Sequence, residues 1–180
     1  MHRRTVQWMR FGVTIPVSVN LSRVDIFDTD LENTLDSILE QASLSHDALE
    51  IEITESAYTE SADRLVHVTN TLHRKGYTIE MDDFGTGYSS LNMLSVLPID
   101  VLKMDREFVR NIEKDEKDMQ MVSLILGIAE SLNIPVIAEG VETEAQIRLL
   151  KNLGCAYVQG FCFSRPLHPS DFEAKYLNNK

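Results

Sequence analysis

Cysteine is scarce in this 180-residue sequence: Cys155 and Cys162 are the two present, and they build neither a disulfide framework nor a zinc site. Both read as ordinary thiols of a reducing compartment. Basic residues are also outnumbered, 17 Lys plus Arg against 28 Asp plus Glu, for a net charge of −11. Such a surface repels polyanions, which excludes broad binding to a nucleic-acid polymer. Long apolar runs are missing too. No stretch approaches the roughly 18 uncharged residues of a membrane span, and the opening Met-His-Arg-Arg-Thr-Val-Gln-Trp lacks the apolar core of a secretory signal. A cytoplasmic chain without a membrane segment is expected. No low-complexity tract or linker divides it, so one domain over residues 1–180 is expected.

What is present is alternation. Short β-rich runs fall at 15–21, 49–54, 77–82, 100–104, 135–139 and 156–159, separated by helical patterns at 31–42, 62–75, 119–132 and 144–153. Asp30 is expected to cap the first helix, Gly76 to stop the second, and Thr143 and Gly154 to bracket the last. Strands alternating with helices imply a parallel sheet, doubly wound or closed as a barrel. Polarity decides between them. In Val17-Ser18-Val19-Asn20, Leu49-Glu50-Ile51-Glu52-Ile53-Thr54 and Tyr77-Thr78-Ile79-Glu80-Met81-Asp82, apolar and polar residues alternate. Helices on both faces of an open sheet would demand nearly continuous apolar strands. A TIM-type (β/α) barrel can turn Val17, Val19, Ile51, Ile53, Ile79 and Met81 toward its helices and the polar set inward. An antiparallel sheet explains the alternation but not the helices. Six strand-helix units are countable where a full barrel has eight in about 250 residues, so the expected barrel is incomplete. Its first and last strands would then offer unpaired edges, which invites homo-oligomerisation.

In a barrel, chemistry sits at the C-terminal ends of the strands. There the sequence puts Asn20, Glu52, Asp82, Asp83, Lys103, Glu139 and Glu142. Two carboxylates about 4 Å apart repel by on the order of 4 kcal/mol at an effective dielectric near 20, so several together call for cations or raised pKa values. Oxygen donors with one amide and no Cys or His suit Mg²⁺ or Mn²⁺ better than zinc. The adjacent pair Asp82-Asp83 suits two ions, as in phosphodiester hydrolysis. Each acid alone has an ordinary explanation as a barrel-layer or turn residue, and Lys103 as a charge-balancing ion pair. His2, His46, His67, His73 and His168 make no helix-spaced ligand pair. The run 113–118 reads as a solvated loop. Asp82-Asp83-Phe84-Gly85 contains a kinase-like Asp-Phe-Gly, but no other kinase motif accompanies it.

Several segments resemble the EAL domain family. They are Val17-Ser18-Val19-Asn20-Leu21-Ser22, Glu52-Ile53-Thr54-Glu55-Ser56, Asp82 through Leu91, Leu102-Lys103-Met104-Asp105, Ala138 through Thr143, Gln159-Gly160-Phe161 and Ser164-Arg165-Pro166-Leu167. The match covers nearly the whole chain. The resemblance implies a barrel that hydrolyses cyclic di-GMP to linear pGpG with two Mg²⁺ or Mn²⁺ ions in bacterial signalling. It implies Asn20, Glu52 and Asp82 as ligands of one ion and Asp82, Asp83 and Glu139 of the other. Lys103 would polarise the attacking water, Glu139 would also be a candidate general base, and Gln159 and Glu142 would lie against substrate or behind the site. Glu55 would anchor the loop 83–90. It also implies a dimer surface near 113–118. One departure stands out: no Glu-Ala-Leu occurs upstream of Asn20, where the family carries another ligand of the first metal. The resemblance therefore leaves a second expectation, a catalytically inactive remnant that binds cyclic di-GMP or a protein.

Overall fold

The computed structural model describes residues 15–85 and 91–177. Six strands form one curled sheet: β1 (Val17–Asn20), β2 (Leu49–Thr54), β3 (Thr78–Phe84), β4 (Val101–Met104), β5 (Val136–Ala138) and β6 (Tyr157–Val158). They lie side by side in chain order, every neighbouring pair parallel. That progression is a barrel's, because a doubly wound sheet reverses its strand order at a switch point. The helices are α1 (Arg23–Phe27), α2 (Leu31–Ala42), α3 (Glu55–Lys75), α4 (Leu91–Val96), α5 (Arg106–Arg110), α6 (Glu116–Ser131), α7 (Glu144–Asn152) and α8 (Pro169–Phe172). Among the described residues no helix is long and apolar enough to cross a membrane.

The expected polarity holds. Ile51, Ile53, Ile79 and Met81 are fully buried and join Leu65, Val68 and Leu72 of α3 in the core. Residues of opposite parity line the inside of the curl, where Ser18 Oγ donates to Glu50 Oε2 at 3.1 Å and Glu80 is buried. On α2, Leu31, Leu35 and Leu39 recur every fourth residue and pack inward. At the far end of the strands from the acids, Lys75 Nζ and Tyr77 Oη donate to Asp36 at 2.5 and 2.9 Å, tying the end of α3 and the residue before β3 to α2.

Local signals succeed where a short-range bond enforces them. Thr143 Oγ1 accepts from Gln146 N at 3.1 Å while Gln146 Oε1 accepts from Thr143 N at 3.0 Å, a reciprocal cap that starts α7. Gly76 ends α3 with φ +97°, a conformation that costs a side chain. Other expectations need correction. Asp30 precedes α2, but its carboxylate accepts from the Asn33 side chain and makes no cap bond to the helix backbone. α3 begins at Glu55, seven residues before 62, because a first turn joins the main helix across a kink at Ser61. β3 runs two residues past Asp82, and the short α1, α4 and α5 carry too few turns to show a periodicity. The loop residues 86–90, and the stretch 1–11 that reads as the tail of a preceding helix, lie outside the described residues.

Candidate active site

Lys103, 6% exposed on β4, stands at the centre of the strand-end acids. Its Nζ donates to Glu52 Oε1 at 2.6 Å and lies 2.8 Å from Glu139 Oε1 and 3.5 Å from Asp82 Oδ1. The parallel curl does this, because β2, β3 and β5 all end at the same rim as β4. Register does the rest. Asn20 pairs with Glu52 across β1 and β2, and Asn20 Nδ2 donates to Glu52 Oε2 at 2.8 Å. Both oxygens of Glu52 are thereby engaged.

A bulge sets the two aspartates. Between β3 and β4, Met81 faces Leu102 and Phe84 faces Met104, so Asp82 and Asp83 together oppose Lys103. An extra residue of this kind re-aims side chains that would otherwise alternate between faces. Asp83 absorbs the distortion at φ +54°, in the left-handed region that Asp tolerates better than most residues. Gly85 follows at φ +98°, and a Cβ there would meet the Phe108 ring at 2.7 Å. Gly85 N donates to Glu55 Oε2 at 3.4 Å, just after β3.

Charge is left over. Burial holds the Glu139 carboxyl above the usual carboxylate range, although Lys103 pulls the other way. Burial, then the charges of Asp82 and Asp105, raises Asp83. Burial opposes the charge on Lys103, yet the facing carboxylates of Glu139 and Glu52 keep its pKa above the ordinary lysine value. Glu139 Oε1 is buried and, despite its ion-pair distance to Lys103, has no aligned hydrogen-bond donor. Among the described residues no three Asp, Glu, His or Cys side chains already converge on one coordination point; Lys103 is the cation among them. The donor set nevertheless fits hard divalent ions: four carboxylates and an amide, all oxygen donors, with one ammonium against four acids.

Glu142 and Gln159 are exposed and outside the Lys103 cluster; both line a cleft beside Glu139. Asp105, Gln146, Arg106 and Gly140 also pack around the site. Asp105 caps α5 by accepting from Glu107 N at 2.7 Å and also presses its charge on Asp83. Gln146 is buried and holds the Glu142 and Thr143 amides through Oε1 at 2.8 and 3.0 Å. Arg106 packs so closely on Gly140 that a Cβ at Gly140 would overlap it. Position directly after Lys103-Met104 and Glu139 was the available signal for Asp105 and Gly140.

The chain is 34% identical over 174 residues to the cyclic di-GMP phosphodiesterase PdeR of Escherichia coli, covering 97% of this chain and 26% of that protein. The solved structure of the PaMucR phosphodiesterase in a c-di-GMP complex superposes with TM-score 0.89 at 37% identity, covering 95% of this chain and 70% of that one. Klebsiella pneumoniae BlrP1, solved as a manganese/cyclic-di-GMP complex, gives TM-score 0.84 at 32% identity, covering 92% and 42%. The chain spans about a fifth to a quarter of the curated relatives it matches first, 18%, 26% and 19% of their lengths. The EAL domain family itself matches residues 1–166, across every strand whose end contributes to the Lys103 cluster, and the chain belongs to that family.

Proposed function

We propose that this chain acts as a single EAL-type domain that hydrolyses cyclic di-GMP to linear pGpG in bacterial second-messenger signalling, using two Mg²⁺ or Mn²⁺ ions. The observation that carries the reading is the bulge that sets Asp82 and Asp83 together against Lys103, between Glu52 and Glu139. Asn20, Glu52 and Asp82 would hold one ion, and Asp82, Asp83 and Glu139 the other. Bound there, the ions would supply Lewis-acid activation and charge neutralisation at the scissile phosphate. Lys103 orients the attacking water and offsets negative charge as it develops. Glu139, its carboxyl raised by burial, accepts the proton from water. The water oxygen bonds to phosphorus, the P–O3′ bond breaks, and O3′ leaves with a proton from solvent. Glu142 and Gln159 contact the nucleotide from the cleft, while Glu55 holds the loop after β3 through Gly85.

The test is chromatographic detection of pGpG after incubation of the chain with cyclic di-GMP and Mn²⁺. Product from the parent and none from Asp83→Asn supports the reading; equal product from both refutes the metal assignment. A second reading, a chain that binds cyclic di-GMP or a partner protein without turnover, is favoured by the Lys103 ammonium that stands among Glu52, Asp82 and Glu139, where no three acids of the described residues already meet at one point. Titration of labelled cyclic di-GMP that shows binding without turnover selects it. The setting we assign is the cytoplasm, supported by the two unpaired cysteines. Self-association is supported by β1 and β6, each with a single strand neighbour among the described residues. A monodisperse monomer in light scattering would count against it.

A further inference from the structure

A cleft of about 520 Å³ opens beyond the ends of β5 and β6. One wall is α5, with Arg106 and Arg110; another is the loop after β5, with Gly140 and Glu142. Gln146, 4% exposed on α7, reaches both. A buried amide side chain needs partners for its oxygen and its nitrogen, and here they lie in different walls. Gln146 Oε1 accepts from Glu142 N at 2.8 Å and from Thr143 N at 3.0 Å. Its Nε2 donates to Val109 O at 3.2 Å, in α5. A helix cap requires the bonds at the loop but not the bond to α5, so the side chain does more than start α7.

The two acids of the loop depend on Gln146 unequally. Glu139 N donates to Met104 O and Val141 N to Gln159 O, each at 3.0 Å, so bonds to β4 and to the end of β6 hold the chain as far as Val141. Beyond Val141, the amides of Glu142 and Thr143 are held through Gln146. Glu139 therefore keeps its place without Gln146, and Glu142 does not.

We propose that Gln146 is a positioning residue that fixes Glu142 at the cleft and sets the gap between the β5 loop and α5, so that it governs nucleotide affinity and leaves the chemical step alone. The identity of the nucleotide, cyclic di-GMP, rests on the hydrolytic reading. Calorimetric titration of cyclic di-GMP into the full chain in EDTA reads affinity without turnover. Gln146→Met keeps the side-chain length and the bond from the residue 146 amide to Thr143 Oγ1 that caps α7, and removes the three side-chain bonds. It should weaken binding about tenfold, as a misplaced contact does. In Mn²⁺ it should raise KM about tenfold with kcat within about twofold of the parent. Val68→Ala, in the core on α3, loosens the fold by the loss of buried methyls and should leave affinity and KM unchanged. Because Gln146 acts through Glu142, Glu142→Ala should weaken binding too, and adding Gln146→Met to it should weaken binding by less than about threefold more.

Unchanged affinity in Gln146→Met, a loss of kcat alone, an equal effect in Val68→Ala, or two effects that simply multiply in the double variant would overturn the proposal. A parent chain that binds cyclic di-GMP but forms no pGpG would retire the hydrolytic reading, and the EDTA titrations would still decide the role of Gln146. A parent chain that binds no cyclic di-GMP would overturn both.

Discussion

Replacing Lys103 by Met probes the balance of charge at the site in the absence of any ion. The ammonium lies 2.6, 2.8 and 3.5 Å from three carboxylates, distances at which unit charges attract by about 5–6 kcal/mol each at an effective dielectric near 20. Those are gross values. Desolvation of Lys103 and repulsion among the acids offset most of them, and removing one partner of a buried pair costs a net of about 3–5 kcal/mol. A domain has only about 5–15 kcal/mol in total, so the variant should be folded but fragile. In EDTA the urea midpoint should fall by about 2 M if the m-value is about 2 kcal/mol/M. Millimolar Mn²⁺ should return part of that loss, because an ion bound only by the folded state stabilises it by about 2.7 kcal/mol at a hundred times its Kd. Far-ultraviolet circular dichroism follows the transition. A loss under about 1 kcal/mol in EDTA would refute the view that Lys103 balances the acids, and unchanged midpoints on adding Mn²⁺ would refute their fit to an ion.

Glu80 is buried, and burial followed by the charge of Glu50 pushes its pKa from 4.5 up to about 7. The folded chain thus holds a proton that the unfolded chain releases, so stability falls as pH rises from 4.5 to about 7; Glu80→Gln should flatten that slope and be more stable above pH 7 by about 3 kcal/mol, and urea unfolding at pH 5 and 8 that shows no such divergence would contradict it. Asp36 behaves oppositely: burial works to raise its pKa, but the bonds from Lys75, Tyr77 and His46 prevail and hold it below the usual range. Its contribution is complete above the unfolded value near ~4 and fades as pH drops through the folded one, so Asp36→Asn should be the less stable chain at pH 7, with the gap to the parent narrowing at pH 3. Gly160 admits no side chain, since a Cβ would overlap the Val141 backbone; Gly160→Ala should cost at least about 3 kcal/mol, and a thermal midpoint within a degree of the parent would show that the β5 and β6 loops yield.

Much of the fold was legible in the residues. Period-two polarity in β2 and β3 names the buried set Ile51, Ile53, Ile79 and Met81, because strand parity is a local property of the chain. The Thr143 cap and the Gly76 stop were legible for the same reason: their bonds span only a few residues. Short helices were not, since five residues give no period to read. Of the site, the acids and Lys103 were legible as strand-end residues, but their neighbours were not.

The sequence by itself determined the parallel βα alternation, the inward polar parity and the residue types of the strand-end cluster, all carried by spacing along the chain. Only the tertiary structure decided that Lys103 stands among Glu52, Asp82 and Glu139, which come from three other segments of the chain. It alone also decided the bulge at Asp82-Asp83 and the pairing of Arg106 and Arg110 with a cleft beside Glu139. A bulge is a mismatch between two strands, and a cleft is a space between several elements. Neither exists until the sheet has curled and its registers have closed.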